Sequence, residues 1–311
     1  MTEVERPVSF DWLDWRNPIA IWWSFLVLVS IANVVLWRLL HLRFRQRALD
    51  RGYGILRVEL VVLLCAAYVF GCAFRSVLPR ADIQRICLFD TWLCSVLVGR
   101  SVATIAEVCF AIQWAIVLRQ LAGVAKSDAA RNVSSLIVPL ILLAECCSWY
   151  AVVTTSYLGN AIENSIWALT FLLIAVALSR LLTAFHGVAR IAIGMTIVGV
   201  AGYLAFLVVI DVPMYFGRWQ ADLASGREPL DVIAGFHDVS TRWIVTRDFA
   251  QWKDEIAWMS LYFSAAVWSS LALCGFDLVK HRLPEYRTSP KNSGRTDWRL
   301  PLAVRPGTSS L

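Results

Sequence analysis

Seven long apolar runs, separated by shorter segments that carry most of the charge, constrain this chain more than any other feature. Each run is close to the roughly 20 residues that an α-helix needs to cross the hydrocarbon core of a bilayer. The hydrophobic share of 58% exceeds the value near one half that is typical of soluble domains, and the mean hydropathy is +0.61. The pattern predicts an all-α fold, a polytopic bundle of about seven transmembrane helices in a plasma or inner membrane.

The lengths of the connections predict the domain organisation. The predicted spans cover residues 19–42, 56–78, 89–118, 134–156, 165–185, 191–210 and 256–278. We expect an outer N-terminal segment (1–18), a seven-helix transmembrane domain (19–282) and a disordered cytoplasmic tail (283–311). Residues 211–255 form the one sizeable outer loop, and Pro213 is expected to end the sixth helix because proline cannot continue it.

The distribution of basic residues predicts the orientation. The connections after the first, third and fifth spans, together with the C-terminal tail, hold well over half of the 29 lysine and arginine residues. The first of them contains Arg38, Arg43, Arg45, Arg47, Arg51 and Arg57. Cytoplasmic loops are enriched in such residues, so the N-terminus is expected outside and the C-terminus in the cytoplasm. Topology therefore accounts for the net charge of +6, and no nucleic-acid partner is expected.

The residues before the first apolar run do not have the character of a signal peptide. They include four acidic residues, Glu3, Glu5, Asp11 and Asp14. A signal peptide begins with a basic region, so we expect the first apolar run to stay in the membrane as the first helix.

The third span carries a polar stripe. Arg100, Thr104, Glu107, Ala111 and Trp114 follow one another at intervals of four or three residues, which places them on one helical face. Ionisable groups inside a span are costly in lipid and mark functional sites by default. The stripe is expected to face the bundle interior or a water-filled cavity.

Two glutamates on consecutive antiparallel spans reach a similar depth. Glu107 lies ~18 Å along the helix from Arg119, and Glu145 lies ~21 Å from Arg131 at the same face. The glutamates could pair with Arg100, share a proton or bind a cation. Thr104, Ser148 or Gln113 could supply further hydrogen bonds. A purely structural network that fixes the helix register is an equally weighted alternative.

A second polar set lies nearer the predicted outer face. Its members are Trp149, Asn160, Glu163, Trp167, Asp211, Tyr215, Glu255 and Tyr262, with Arg75 at an outer level comparable to that of Arg100. These residues could rim an outward-opening cavity under the loop 211–255, or form an ordinary hydrated helix rim. The candidate ligand-binding residues are therefore Arg75, Arg100, Thr104, Glu107, Glu145, Trp149, Glu163, Asp211 and Tyr262.

Histidine and cysteine placement excludes several classes of site. His41, His186 and His281 fall at predicted cytoplasmic helix ends and His237 in the outer loop, so we expect no haem, no zinc ligand set and no other cofactor. No catalytic residue is identified. Three cysteines near one face, Cys72, Cys87 and Cys94, leave a disulfide possible if that face is oxidising. Gly194, Gly199 and Gly202 predict close approach of a neighbour to the sixth helix.

Three functions fit these observations. The first, slightly favoured, is binding or transport of a small solute, ion or proton at the buried polar site. The second is a membrane-embedded enzyme that acts on a lipid or lipid-linked substrate from the outer face, with carboxylates as general acid and base. The third is a non-catalytic membrane partner or sensor. Membrane lipids and a small molecule or ion are the expected partners.

Overall fold

The structure, a computed structural model, describes residues 16–51 and 56–279, and gives side chains for residues 16–47 and 60–276. Seven helices in this part of the chain are long and apolar enough to cross a membrane, which confirms the predicted number of spans. The molecule is thus a helical bundle of the kind expected for an integral membrane protein. The predicted tail 283–311 and nearly all of the outer segment 1–18 lie outside the described residues.

Ten α-helices and three short strands make up the described fold. The helices are α1 (Pro18–Arg51), α2 (Leu56–Val77), α3 (Val96–Ala125), α4 (Asp128–Thr154), α5 (Tyr157–Leu181), α6 (Gly187–Phe206), α7 (Val212–Ser225), α8 (Val232–Thr241), α9 (Phe249–Leu261) and α10 (Val267–Val279). The strands are β1 (Arg80–Ala81), β2 (Ile86–Cys87) and β3 (Ile244–Val245). The helices α1 to α5 pack in sequence, and α10 packs against α1, α2 and α3. By contrast, α6 and α7 pack mainly against α5, so this pair lies at the edge of the bundle.

The third span starts later than predicted because residues 80–95 form a separate segment before it, which we call the cap. Helix α3 begins at Val96, after Ser95, whose hydroxyl accepts a hydrogen bond from the Val98 amide. Such an N-cap satisfies one of the free amides of the first turn. Residues 89–95, which were expected to be helical, include only a short 3-10 helix (Trp92–Cys94), and the antiparallel hairpin of β1 and β2 precedes them. We call the end of the bundle that carries this hairpin the hairpin face.

The prediction that Pro213 ends the sixth helix is wrong. The helical conformation continues from α6 through a π-helical turn, Leu207–Asp211, into α7. The amide of Val212 donates to the carbonyl of Leu207, five residues back. A π turn opens the hydrogen-bond ladder locally, so the proline, at the beginning of α7, needs no amide and does not break the axis. A second π turn, Tyr262–Ala266, joins α9 to α10.

A small sheet ties two connections together at the hairpin face. Strand β2 pairs antiparallel with β1 and parallel with β3, which comes from the connection 226–248 between α7 and α9. Arg85 forms an ion pair with Asp238 of α8 at 2.7 Å and donates to the carbonyl of Val152 of α4, also at 2.7 Å. The cap is therefore held to the bundle by buried charge-assisted hydrogen bonds.

The structure also bears on the expectations for the glycines of α6 and for three cysteines. The glycines Gly194, Gly199 and Gly202 have no atom within 4 Å of the position of an added Cβ, so the predicted close approach of a neighbour is wrong. The cysteines Cys87 and Cys94 are hydrogen-bonding neighbours, but both, like Cys72, are free thiols.

Close packing of α8 on α4 leaves no space for a side chain at Gly235. A Cβ added to Gly235 would lie 2.2 Å from the carbonyl oxygen of Val153, a backbone atom that cannot move aside cheaply. We expect Gly235→Ala to lower the free energy of unfolding by about 1–3 kcal/mol, the usual range for overpacking. Thermal unfolding in mild detergent measures the change.

The matched control is Gly217→Ala, on the exposed face of α7, where an added Cβ meets nothing within 4 Å. This variant is expected to raise stability by up to ~1 kcal/mol, since alanine favours the helix over glycine. Equal stability of wild type and Gly235→Ala would contradict the close contact between α8 and α4.

Candidate functional site

One guanidinium nitrogen lies at the centre of a buried carboxylate cluster. Arg100 Nη2 is 2.7 Å from Glu145 Oε2, 3.3 Å from Glu107 Oε2 and 3.5 Å from Glu163 Oε1. These residues come from α3, α4 and α5, and none of the four side chains is more than 8% exposed. The cluster therefore joins three helices through groups that water barely reaches.

Neutral side chains complete the hydrogen bonding around the cluster. The Thr104 hydroxyl donates to Glu145 Oε2 at 2.6 Å and accepts from the Trp149 indole at 3.0 Å. Tyr262, in the π turn between α9 and α10, donates to Glu107 Oε1 at 2.7 Å. The cluster thus also connects the α3–α4–α5 side of the bundle with the last span.

Beside the cluster is a cavity of about 410 Å³. Its aromatic lining consists of Tyr68, Phe110, Trp114, Trp167, Phe171, Tyr203, Phe206, Tyr215, Trp258 and Tyr262, and its ionisable lining of Arg75, Arg80, Asp82, Arg100, Glu107, Glu163, Asp211 and Glu255. The volume is within the usual range for a small-molecule site, and a mostly apolar wall with a few polar groups is typical of one.

Two ionisable side chains of the cavity wall make few close polar contacts. Asp211 is 7% exposed, and within the described residues its carboxylate makes no hydrogen bond and no ion pair. Arg75 reaches Asp82 only at 4.0 Å, and its guanidinium carbon lies 5.7 Å from the centre of the Tyr262 ring. Glu255, by contrast, accepts hydrogen bonds from Gln84, Arg218 and Trp258. Asp211 and Arg75 are therefore the groups most able to meet a ligand.

A buried polar contact joins three helices next to cavity-lining residues. Gln113 of α3 accepts a hydrogen bond from the Ser270 hydroxyl of α10 at 2.6 Å, and its amide nitrogen approaches the carbonyl of Val61. Gln113 therefore connects α3 with α2 and α10, and it makes no hydrogen bond to the carboxylate cluster, contrary to one alternative drawn from the sequence.

The structure brings most of the sequence-derived candidates into one place. Arg100, Glu107 and Glu163 belong both to the cluster and to the cavity wall, whereas Glu145 belongs to the cluster alone. Thr104 donates to Glu145, and Trp149 donates to Thr104. Arg75, Asp211 and Tyr262 line the same cavity. The sequence analysis placed Glu163 in a separate outer set, because the sequence alone does not show that α5 packs with Glu163 against Arg100 of α3.

The hairpin supplies candidate site residues that the sequence analysis missed. Arg80 and Asp82 line the cavity, and Arg80 Nε donates to Asp82 at 3.0 Å. Both residues lie between the second and third predicted spans. The alternation of charged Arg80, Asp82 and Arg85 in an otherwise apolar region was the signal that could have found them.

The three glutamates could also hold a cation. One carboxylate oxygen from each of Glu107, Glu145 and Glu163 lies within 4.8 Å of the others. Oxygen ligands of this kind suit hard cations. The Arg100 guanidinium already supplies positive charge at this point, so an additional metal ion would have to displace it.

Asp82 lies outside the spans and has an altered pKa. Burial raises the pKa of the Asp82 carboxyl, but Arg80 and then Arg75 outweigh burial, so the pKa lies below its usual value. The ionised form is therefore stabilised in the folded state. This contribution is complete above the ordinary carboxyl pKa of about 3.9 and is lost as the pH falls through the lower, folded pKa.

The Asp82→Asn variant tests this linkage. At neutral pH we expect it to lose about 3–5 kcal/mol of stability, because Arg80 keeps a buried charge without its carboxylate. The difference from wild type is expected to begin to shrink below about pH 4, where Asp82 of the unfolded chain takes up a proton, and to disappear only below the lowered pKa of the folded state. Thermal unfolding in detergent over this pH range measures both effects. Asp128→Asn, which alters a side chain that is 85% exposed, is the control; a pH-independent difference would contradict the assignment.

The chain was also compared with known proteins. No model of a known protein family matches it, and no match was found among curated proteins or solved structures. The chemistry of the cavity is therefore the basis for any functional conclusion.

Proposed function

We propose that this membrane protein binds a small organic cation in the cavity beside Arg100 and carries it across the bilayer. The observation on which the proposal rests is the excess of carboxylates at this buried position. The described carboxylates of the cavity and of its buried ion pairs are Asp82, Glu107, Glu145, Glu163, Asp211 and Glu255, and the guanidinium groups are Arg75, Arg80, Arg100 and Arg218. A positive ligand would reduce this imbalance.

The depth of the cluster makes the imbalance costly. Glu107 lies ~17 Å along α3 from its start at Val96, and Glu145 ~14 Å along α4 from its end at Thr154. An ionised carboxylate without a counter-charge in such surroundings is strongly disfavoured. The excess charge must be balanced by protons or by a cation, and a bound cation and protons then compete for the same oxygens.

The aromatic wall favours an organic cation over a bare metal ion. Tyr203, Tyr215, Trp258 and Tyr262 line the cavity together with Asp211 and Glu163. Aromatic faces attract ammonium groups through the ring quadrupole, most strongly where water is excluded. A protonated amine or a quaternary ammonium group can use the carboxylates and the rings at once.

The proposed direction of binding follows from the charge distribution of the connections. The basic connections predict that the hairpin face is outside, with the N-terminus, and that the C-terminus is cytoplasmic. The cavity reaches the hairpin residues Asp82 and Gln84, so we expect the site to lie nearer to the outer side of the membrane.

The Asp211→Asn variant tests the proposal without breaking a hydrogen bond or ion pair of the described fold. Titration of tetramethylammonium into the purified protein in lipid nanodiscs, followed by calorimetry or tryptophan fluorescence, is expected to show binding to wild type. Loss of one buried carboxylate should weaken it by about tenfold or more, since truncating a buried charge pair costs at least ~2 kcal/mol. Glu163→Gln is expected to act in the same direction.

Asp128→Asn is the matched control, since its carboxylate is exposed at the opposite end of α4. Uptake of the cation into proteoliposomes, with the same variants, tests the transport step. The proposal is refuted if wild type binds no cation, or if Asp211→Asn and Glu163→Gln bind the cation as wild type does. Either outcome would favour a structural role for the cluster. The lipid-acting enzyme and the non-catalytic partner stay alternative hypotheses.

A further inference from the structure

The cavity has a side wall made of two helices that do not close on each other. On one side it is lined by Gly199, Val200 and Gly202 of α6, and on the other by residues of the last span, Ala265, Ala266 and Ser269. Of these, Gly199, Gly202 and Ala265 are exposed and Ser269 is half-buried. Neighbouring helices therefore leave the small side chains of this wall largely uncovered.

Helix packing explains why this wall is open. Helix α6 packs against α5, whereas α10 packs against α1, α2 and α3. Among the described residues, α6 and α10 share no extensive contact. A Cβ added at Gly199 or Gly202 would meet no atom within 4 Å, so the edge of the opening is not filled by a neighbouring side chain.

The opening lies near the middle of the membrane. Gly199 and Gly202 are ~18 and ~22 Å along the helix from the start of α6 at Gly187. On the other side, Ser269 is ~15 Å from the end of α10 at Val279. Both edges therefore face the ~30 Å hydrocarbon core, where water and free ions are excluded.

The chemistry along the cavity changes from apolar to charged. Along α6 toward the hairpin face, the cavity wall passes from Gly199, Val200 and Gly202 to the rings of Tyr203 and Phe206, and then to Asp211 of the π turn. A charged head group cannot rest in hydrocarbon, and a hydrocarbon chain gains nothing among carboxylates. The gradient fits a molecule that has both parts.

We propose that the ligand of this site is an amphiphilic amine, whose protonated or quaternary ammonium head lies at the carboxylates while its hydrocarbon chain leaves through the opening between α6 and α10 into the bilayer. This inference rests on the proposed function, because it takes the cation site as given and adds the class of ligand and the route of access. The ligand is drawn from the membrane and does not need to pass the cap at the hairpin face.

Filling the opening tests the route. In nanodiscs, tetramethylammonium and dodecyltrimethylammonium are titrated into wild type, Gly202→Leu and Gly194→Leu, with empty nanodiscs to correct for partition into lipid. Gly194 is on the same helix, also has no atom within 4 Å of an added Cβ, and does not line the cavity, so its variant is the matched control.

We expect Gly202→Leu to weaken dodecyltrimethylammonium about tenfold or more, since a leucine side chain would overlap the hydrocarbon chain. Tetramethylammonium should bind this variant within about twofold of wild type, and Gly194→Leu should bind both ligands as wild type does.

Two outcomes would overturn the inference while the cation site stands. One is that tetramethylammonium binds wild type but the long-chain ligand does not. The other is that Gly202→Leu affects both ligands equally or neither. If wild type binds neither cation, or if Asp211→Asn changes neither affinity, the proposed function itself fails, and the inference fails with it.

Discussion

The shared guanidinium of Arg100 is the interaction on which the rest of the bundle depends. Four side chains that would each be disfavoured alone in a low-dielectric interior become tolerable because they face one another. Since they come from α3, α4 and α5, their pairing fixes the rotation of three helices at once. Tyr262 extends the same network to the last span, where a π turn brings its hydroxyl to Glu107.

The two π-helical departures from regular α-helix contain residues of the site. The π turn Leu207–Asp211 contains Asp211 and allows the helix to continue past Pro213, so that Tyr215 and Arg218 of α7 can reach the cavity region. π turns are frequent at functional sites because the extra residue redirects side chains. At the hairpin face, the small sheet and Arg85 hold the cap, which contributes Arg80 and Asp82 to the cavity wall.

Asymmetry of packing explains why a cavity exists beside this network. The last span joins α1, α2 and α3, while α6 and α7 stay with α5, and the space between the two groups is the cavity. The sequence predicted that the glycines of α6 allow a neighbouring helix to approach closely, and the structure shows the opposite. They leave an edge open, because no neighbouring helix approaches them closely.

The sequence by itself determined the number of spans, since hydrocarbon requires long apolar runs, and it identified the Arg100–Glu107 stripe, since helical periodicity places those residues on one face. It also predicted the similar depth of Glu107 and Glu145 from the rise per residue. The tertiary structure decided that Glu163 joins them, that Arg80 and Asp82 of the hairpin reach the cavity, and that α6 stands apart from α10. Those features depend on how helices lean and on where connections fold back, and neither is encoded in the periodicity of a single helix.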